Sequence, residues 1–305
     1  MIRRASILIV VLFVMVVLSL TALSVTYRVG LTIRDSRGQA TDARLKAYAR
    51  SAIAIRMGLL ADDDGAFDHP GEAWAATVEL AETDWFPALR DDDGSRAVRV
   101  DSWSVDESSR LHVSAASTEA LEAIGLDQRE IDALLDWIDR DEVPRAYGAE
   151  SAEYSGLAIP FRSKNAPLET LDELSLVVGA PWGVPTDGVT LLTVLGDGRV
   201  NVNTAPERVL RALPISSDAV SRIVGFRQMG EATRGDVSEY SLRTFDDLRR
   251  LQGLSATDVD ILETVGRFNS VLFRIGAEVT QGDRRVRVLT LVARGEDGLE
   301  VLQWW

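Results

Sequence analysis

Hydrophobic and polar positions divide this chain into stretches with different periods. From Ala5 to Tyr27 there are 23 residues without a charge, and most are Val, Leu, Ile, Met or Phe. A helix of that length rises about 34 Å, enough to cross a hydrocarbon core of ~30 Å. Beyond Arg28 the pattern changes to a helical one. Leu45, Ala49, Ala52, Ile55 and Leu59 recur at three- and four-residue steps, which predicts one continuous helix to about Leu60, ended by Asp62-Asp63-Asp64-Gly65. In the middle of the chain the apolar spacing repeats itself. Residues 117–138 slide onto 206–227 at an offset of 89, matching Leu121 with Leu210, Ile124 with Leu213, Ile131 with Val220 and Leu134 with Ile223. Each copy reads as helix, tight turn, helix. Asp127 and Ser216 stand where a side-chain oxygen caps the second helix, and Asp127 with Glu130 and Thr204 with Glu207 have capping-box spacing. Leu168, Leu171 and Leu174 then correspond to Phe245, Leu248 and Leu251. On either side the period falls to two. Val98–Val105 and Leu111–Ala115 alternate about a polar turn as a hairpin should, and three further strands follow: Val271–Thr280, Arg285–Ala293 and Leu299–Trp305.

The fold class expected is therefore α+β: a long N-terminal transmembrane helix, a core with an antiparallel sheet, and a large duplicated α-helical insertion. The boundaries are a leader over 1–5, the long helix over 6–60, the α+β core over 61–116 and 267–305, and the insertion over 117–266. Arg3 and Arg4 before the apolar run predict a cytoplasmic N-terminus, with everything from about Arg28 onward across the membrane.

Composition removes several kinds of chemistry. There is no cysteine, so thiolate zinc sites, iron–sulfur clusters, disulfides and a cysteine nucleophile are excluded. His69 and His112 alone cannot build a three-histidine metal site. A net charge of −14 opposes nucleic acid, whose binding draws on Lys and Arg against phosphate. GxSxG, HExxH and phosphate-loop patterns are missing, so no enzymatic activity is expected. Acidic runs such as Asp62–Asp64 and Asp91–Asp93 read as solvated loops. The short turns of the repeated unit resemble DNA-binding helix-hairpin-helix proteins, and a membrane-anchored protein of that kind, binding DNA or another partner, is the alternative reading. Glu130, Asp132 and Asp136 beside the first turn, and Pro214 in the second, argue against it.

One acidic stretch differs from the rest. Residues 127–153 hold nine acidic side chains against three arginines, a local net charge of −6. Asp136 and Asp139 fall on one helix face, Asp141 follows in the chain reversal before Pro144, and Gly148 lets the loop turn so that Glu150 and Glu153 return. All-oxygen ligation of this kind suits Ca²⁺. The alternative is a solvated loop in which Arg140 and Arg145 screen the charges.

Specific motifs carry a resemblance. The N-terminus resembles the type IV pilin class, with a short basic leader, a cleavage point, an apolar helix and a head beyond it. Cleavage in that class usually follows a Gly; here Ala5 or Ser6 takes that place, and with a cut after Ala5 the fifth mature residue is Val10, where most pilins have a Glu. Further along stand Asp136-Trp137-Ile138-Asp139-Arg140-Asp141, Gly148-Ala149-Glu150, Tyr154, Lys164-Asn165-Ala166-Pro167-Leu168, Leu171-Asp172-Glu173-Leu174 and Val200-Asn201-Val202-Asn203-Thr204-Ala205. In this order they resemble the general secretion pathway protein K family, the K-type minor pseudopilins of type II secretion. The resemblance implies a pilin-like core and a tip subunit of the pseudopilus that nucleates and caps it in support of protein export. It implies I- and J-type minor pseudopilins and other pseudopilins as partners, processing and methylation by prepilin peptidase, and an inner-membrane anchor with a periplasmic head. It also implies structural calcium in the helical domain, held here by Asp136, Asp139, Asp141, Glu150 and Glu153. Val10 then suits a subunit with no neighbour above it, since an unpaired buried carboxylate is avoided.

Overall fold

The computed structural model describes residues 2–76, 78–79, 98–178, 189–233, 237–295 and 298–305. Helix α1 (Ile2–Ala61) is continuous over 60 residues. Its side chains are described from Val11 onward; those of Ala5, Ser6 and Val10 lie outside the described set. The apolar side chains from Val11 to Ile33 stand open to the surroundings, and this part is long and apolar enough to cross a membrane. Further on the helix gains a buried face of Leu45, Ala49, Ala52, Ile53, Arg56 and Leu60. Ile55 and Leu59, read from spacing as part of that stripe, are only half-buried, because the face turns toward Ile53 and Leu60.

After α1 the chain adds strand β1 (Val78–Glu79) and strand β2 (Arg99–Asp106). It then leaves for the helical region through β3 (Leu111–His112), α2 (Thr118–Ala123), α3 (Gln128–Ile138) and α4 (Ser151–Ser155). β4 (Leu192–Thr193) and β5 (Val200–Asn201) precede α5 (Glu207–Ala212), α6 (Ser217–Thr233), α7 (Phe245–Arg250) and α8 (Ala256–Val265). The chain returns through β6 (Gly266–Arg267) and closes with β7 (Leu272–Gln281), β8 (Arg284–Gly295) and β9 (Gly298–Trp304). The sheet order is β1-β2-β7-β8-β9, each neighbour antiparallel to the next. This is the α+β architecture with a long apolar helix that the sequence patterning pointed to.

Two apolar cores result. In one, the buried face of α1 packs on Val98, Val100, Phe273, Ile275, Ala277, Val279, Val288 and Val292 of the sheet. Arg56 lies inside this core at 1 % exposure, donating to Ser102 Oγ (3.0 Å), Ser102 O (2.8 Å) and Trp74 O (3.1 Å). Desolvation lowers its pKa, and among the described residues its hydrogen bonds go to hydroxyl and carbonyl oxygens. The second core belongs to the helical region and runs from Leu111 to Phe268. Between them lies a polar seam. Asp106 Oδ2 accepts hydrogen bonds from Ser270 Oγ (2.6 Å), Thr204 Oγ1 (2.5 Å) and Asn201 Nδ2 (3.2 Å), and Asp68 Oδ2 accepts from Ser270 N (2.6 Å).

Two local readings change. Leu111–Ala115 does not pair with β2 as a hairpin: β3 runs parallel to β4, because Leu111 and Val113 bury in the helical core while β2 takes β7 as its partner. Thr204 is not the cap of α5, whose N-cap is Pro206; its hydroxyl is taken by Asp106.

Candidate metal centre

The acidic loop is built from the end of α3. Asp127 accepts from Arg129 N (2.8 Å) and Glu130 N (2.9 Å), and Glu130 accepts in return from Asp127 N (2.8 Å). That capping box fixes where the helix starts. Eleven residues later the helix ends, with Asp139 as its C-cap in extended conformation. Asp136, Asp139 and Asp141 thus gather at a helix C-terminus, where exposed carbonyls already favour cations over carboxylates.

One internal cation partly answers that need. Arg145 Nη1 donates to Asp136 Oδ1 and to Asp139 Oδ2 (2.6 Å), and its backbone N–H donates to Asp136 Oδ2 (2.9 Å). The loop then passes so close to α3 that a Cβ on Gly148 would lie 1.9 Å from Asp136 Oδ2. Glycine is required there by contact. Next, α4 brings Glu150 back, pinned by Tyr154, whose ring packs 5.1 Å from Trp137 and 5.2 Å from Phe161.

Of the five acids expected to hold a metal, the structure brings three together. Asp139, Asp141 and Glu150 each offer an oxygen within 4.8 Å of the others, the separation of two oxygens on opposite sides of an ion at about 2.4 Å. Asp136 is committed to Arg145. Glu153 accepts from Glu150 N (3.0 Å) in the first turn of α4 and serves that turn instead. Asp139 Oδ1 and Glu150 Oε1 are buried without any hydrogen-bond donor, as is Asn165 Oδ1. Asn165 was invisible as a candidate because it is neutral and lies outside the acidic run. Its side-chain NH₂ donates to Asp141 O (3.3 Å) and Glu142 Oε1 (2.9 Å), its N–H to Trp137 O (3.0 Å), and its φ is 48°. A left-handed Asn is the feature that signals it.

Glu150 is 2 % exposed. Burial first, then the charges of Asp136, Asp139 and Glu142, push its pKa up to about 7. Burial also raises that of Asp136. Three converging carboxylates, three donorless buried oxygens and a raised carboxyl pKa fit a hard dication with all-oxygen ligation.

A second acidic group, Asp63, Asp68 and Glu72, follows α1. It carries its own cation: Arg294 donates to Asp63 (2.8 Å) and to both oxygens of Asp68 (2.9 and 3.0 Å). Asp63 is therefore paired and not merely solvated, while Asp91–Asp93 lie outside the described residues. The repeated helix pairs keep no open turn for a phosphate. Arg208 donates to Ile124 O across the first turn, where Gly125 has φ 94°, and Asp258 accepts from Ser216 N (2.8 Å) and Ser216 Oγ (2.9 Å) at the second.

Against known proteins, residues 102–182 match the family model described as type II secretion system protein K. That span contains the acidic loop and Asn165. The chain is 26 % identical to the type II secretion system protein K of Pseudomonas aeruginosa, over 95 % of this chain and 89 % of that protein. It is 25 % identical to the protein of the same name from Aeromonas hydrophila, over 97 % and 94 %. Its fold resembles a chain in the crystal structure of the GspK–GspI–GspJ complex of the enterotoxigenic Escherichia coli type 2 secretion system. The TM-score is 0.62 at 18 % identity, covering 88 % of this chain and 98 % of that one.

Proposed function

This chain belongs to the type II secretion system protein K family, and we propose from that premise that it is the minor pseudopilin at the tip of the pseudopilus. In that role it nucleates and caps the filament, in support of the export of folded proteins across the outer membrane. One observation supports the capping position. The helical core docks on the segment just past the end of α1: Asp68 N donates to Phe268 O (2.8 Å), and the Arg243 guanidinium lies 4.4 Å over the Phe67 ring. It therefore sits at the end of the helix opposite the apolar span, where a bulky domain obstructs a further subunit.

The apolar part of α1 anchors the chain once in the inner membrane, with the N-terminus cytoplasmic and the head periplasmic, and prepilin peptidase cuts at Ala5 or Ser6. The I- and J-type minor pseudopilins pack against α1 and the sheet, and Val10 leaves no unpaired carboxylate at the top of the stack. Calcium is structural in this account. Asp139, Asp141, Glu150 and the Asn165 carbonyl oxygen would hold it, while Arg145 retains Asp136. The ion supplies positive charge at the C-terminus of α3 and ties α3, α4 and the Asn165 segment together.

Co-purification of the full-length chain with the I- and J-type proteins tests the assembly. A complex containing all three is expected, and failure to co-purify overturns it. Electron microscopy of pseudopili with a labelled head should show label at one end; label along the shaft would exclude the tip.

A further inference from the structure

The sheet ends in a strand built for another strand. We propose that β9 is a strand-addition site for an extended segment of a neighbouring minor pseudopilin head, apolar on one face and carrying Lys or Arg. The partner's identity rests on the pseudopilin reading above; the site itself rests on the geometry that follows.

The first observation is the direction of the backbone. Trp305 N donates to Leu289 O (2.9 Å) and Leu289 N to Trp305 O (3.2 Å), so this is the bonded type of antiparallel pair. Such pairs alternate with pairs that exchange no bonds. Thr290 and Trp304 form the next pair, so the N–H and C=O of Trp304 point away from β8 toward the open edge. The second is apolar exposure along the same strand: Val301 is 36 % exposed, Leu302 48 %, Trp304 43 % and Trp305 51 %. Folded proteins usually blunt such an edge with charge, proline or a cover. Among the described residues, β9 has just two such devices, a register shift opposite Leu291/Val292 and one charged side chain, Glu300.

The third is a groove of about 270 Å³ beside the edge, on the sheet face turned away from α1. Leu289, Leu291 and Trp305 form its floor, and Leu171, Val194 and Leu195 of the helical region form its wall. An added strand places every second side chain on that face, so one large apolar residue enters the groove while the backbone meets Trp304.

Charge selects the occupant. Arg274 lies over the Trp305 ring (5.9 Å) and is paired with Glu107 (3.0 Å), and Arg50 lies over the Trp304 ring (5.6 Å). The exposed charges at the rim are acidic, Asp172 and Glu169, of which Glu169 also lies 3.7 Å from Lys164, and Glu300 adds a further acidic side chain on β9 itself. A second copy is disfavoured, because residues 61–305 carry 45 acidic against 24 basic side chains. A basic, apolar strand from another protein fits both the groove and its rim.

The test uses the full-length chain in detergent, titrated with the I- and J-type pair. Trp304→Pro removes the outward N–H and leaves the β8 ladder intact. It also removes the ring under Arg50, so the variant should stay folded with a small loss of melting temperature, while binding weakens about tenfold or more. Independently of any variant, the Trp304 amide of the wild-type chain should exchange hydrogen more slowly in the complex than alone. Wild-type affinity in Trp304→Pro, or an unchanged Trp304 exchange rate, overturns the site while the assembly stands. A wild-type chain that does not bind the pair takes the assembly reading down, and this proposal with it. A concentration-dependent dimer of the chain alone, lost in Trp304→Pro, would assign the edge to a second copy instead.

Discussion

At the scale of single residues, two acidic groups solve the same electrostatic problem differently. Around Asp68 the chain supplies Arg294; around Glu150, oxygens of Asp139, Glu150 and Asn165 have no donor, and the proposed ion would meet them. The isolated head should therefore melt several degrees higher in millimolar Ca²⁺ than in EDTA, since an ion at about 100 times its Kd adds roughly 2.7 kcal/mol. Asp139→Ala with Asp141→Ala should erase the difference, and a melting temperature indifferent to chelation would remove the metal. The pH response follows from Asp68 and Glu72, whose carboxyls burial pushes up to about 6 and about 7. Both folded values lie above the ordinary ones, so the ionised forms are penalised in the fold. Stability is gained as pH falls from above 7 through these values toward 4, and is lost as pH rises through them. Melting in EDTA should be higher at pH 6 than at pH 8, and Glu72→Gln should narrow that gap. What the sequence showed at this scale was where negative charge concentrates. Which carboxylates converge, and that Asn165 bonds to Asp141 O and Glu142 beside them, depends on chain reversals that no spacing records.

Among the elements, legibility followed locality. The two helix pairs were readable because apolar residues recur at helical steps within each, and α2–α3 and α5–α6 form where that pattern lies. The three final strands were readable because short turns join them in order. The supposed hairpin after β2 failed for the opposite reason: alternation near Leu111 is local, but its partner, Leu192, lies 81 residues away in the chain. Likewise Thr204 has capping spacing, yet Asp106 claims its hydroxyl. Arg56 is the strongest case, a charged residue on the buried face of α1 that no hydrophobic pattern selects. It joins helix to sheet through two hydrogen bonds to Ser102, and to the segment before β1 through a third, to Trp74 O, all to neutral oxygens. Arg56→Lys cannot span them, leaves buried acceptors unpaired and should destabilise the head by about 2–4 kcal/mol in urea unfolding. A change below half a kcal/mol would mean the arginine is replaceable.

For the whole molecule, the first question is on which side of the membrane the head lies. In spheroplasts of cells making the full chain, external protease should digest the head, and N-terminal sequencing should find a mature chain that begins after Ala5 or Ser6. A protected head, or a chain still starting at Met1, contradicts that arrangement. The second question is how so large a helical domain is carried without disturbing the sheet. Its entry and exit points are adjacent, since Asp106 and Phe273 face each other at the ends of β2 and β7. For the sheet, residues 107–271 are one long loop, and the entropy of closing a loop grows only with the logarithm of its length. The arrangement has a mechanical consequence. A pull or push on α1 passes into the sheet through Arg56 and the helix face around Ile53, and is shared among strands held side by side. The helical domain joins that load path at its two adjacent ends and along the seam around Asp68 and Asp106, and is not in series with it. Force that displaces the stalk therefore moves the domain as cargo, without stretching the loop that gathers Asp139, Asp141 and Glu150.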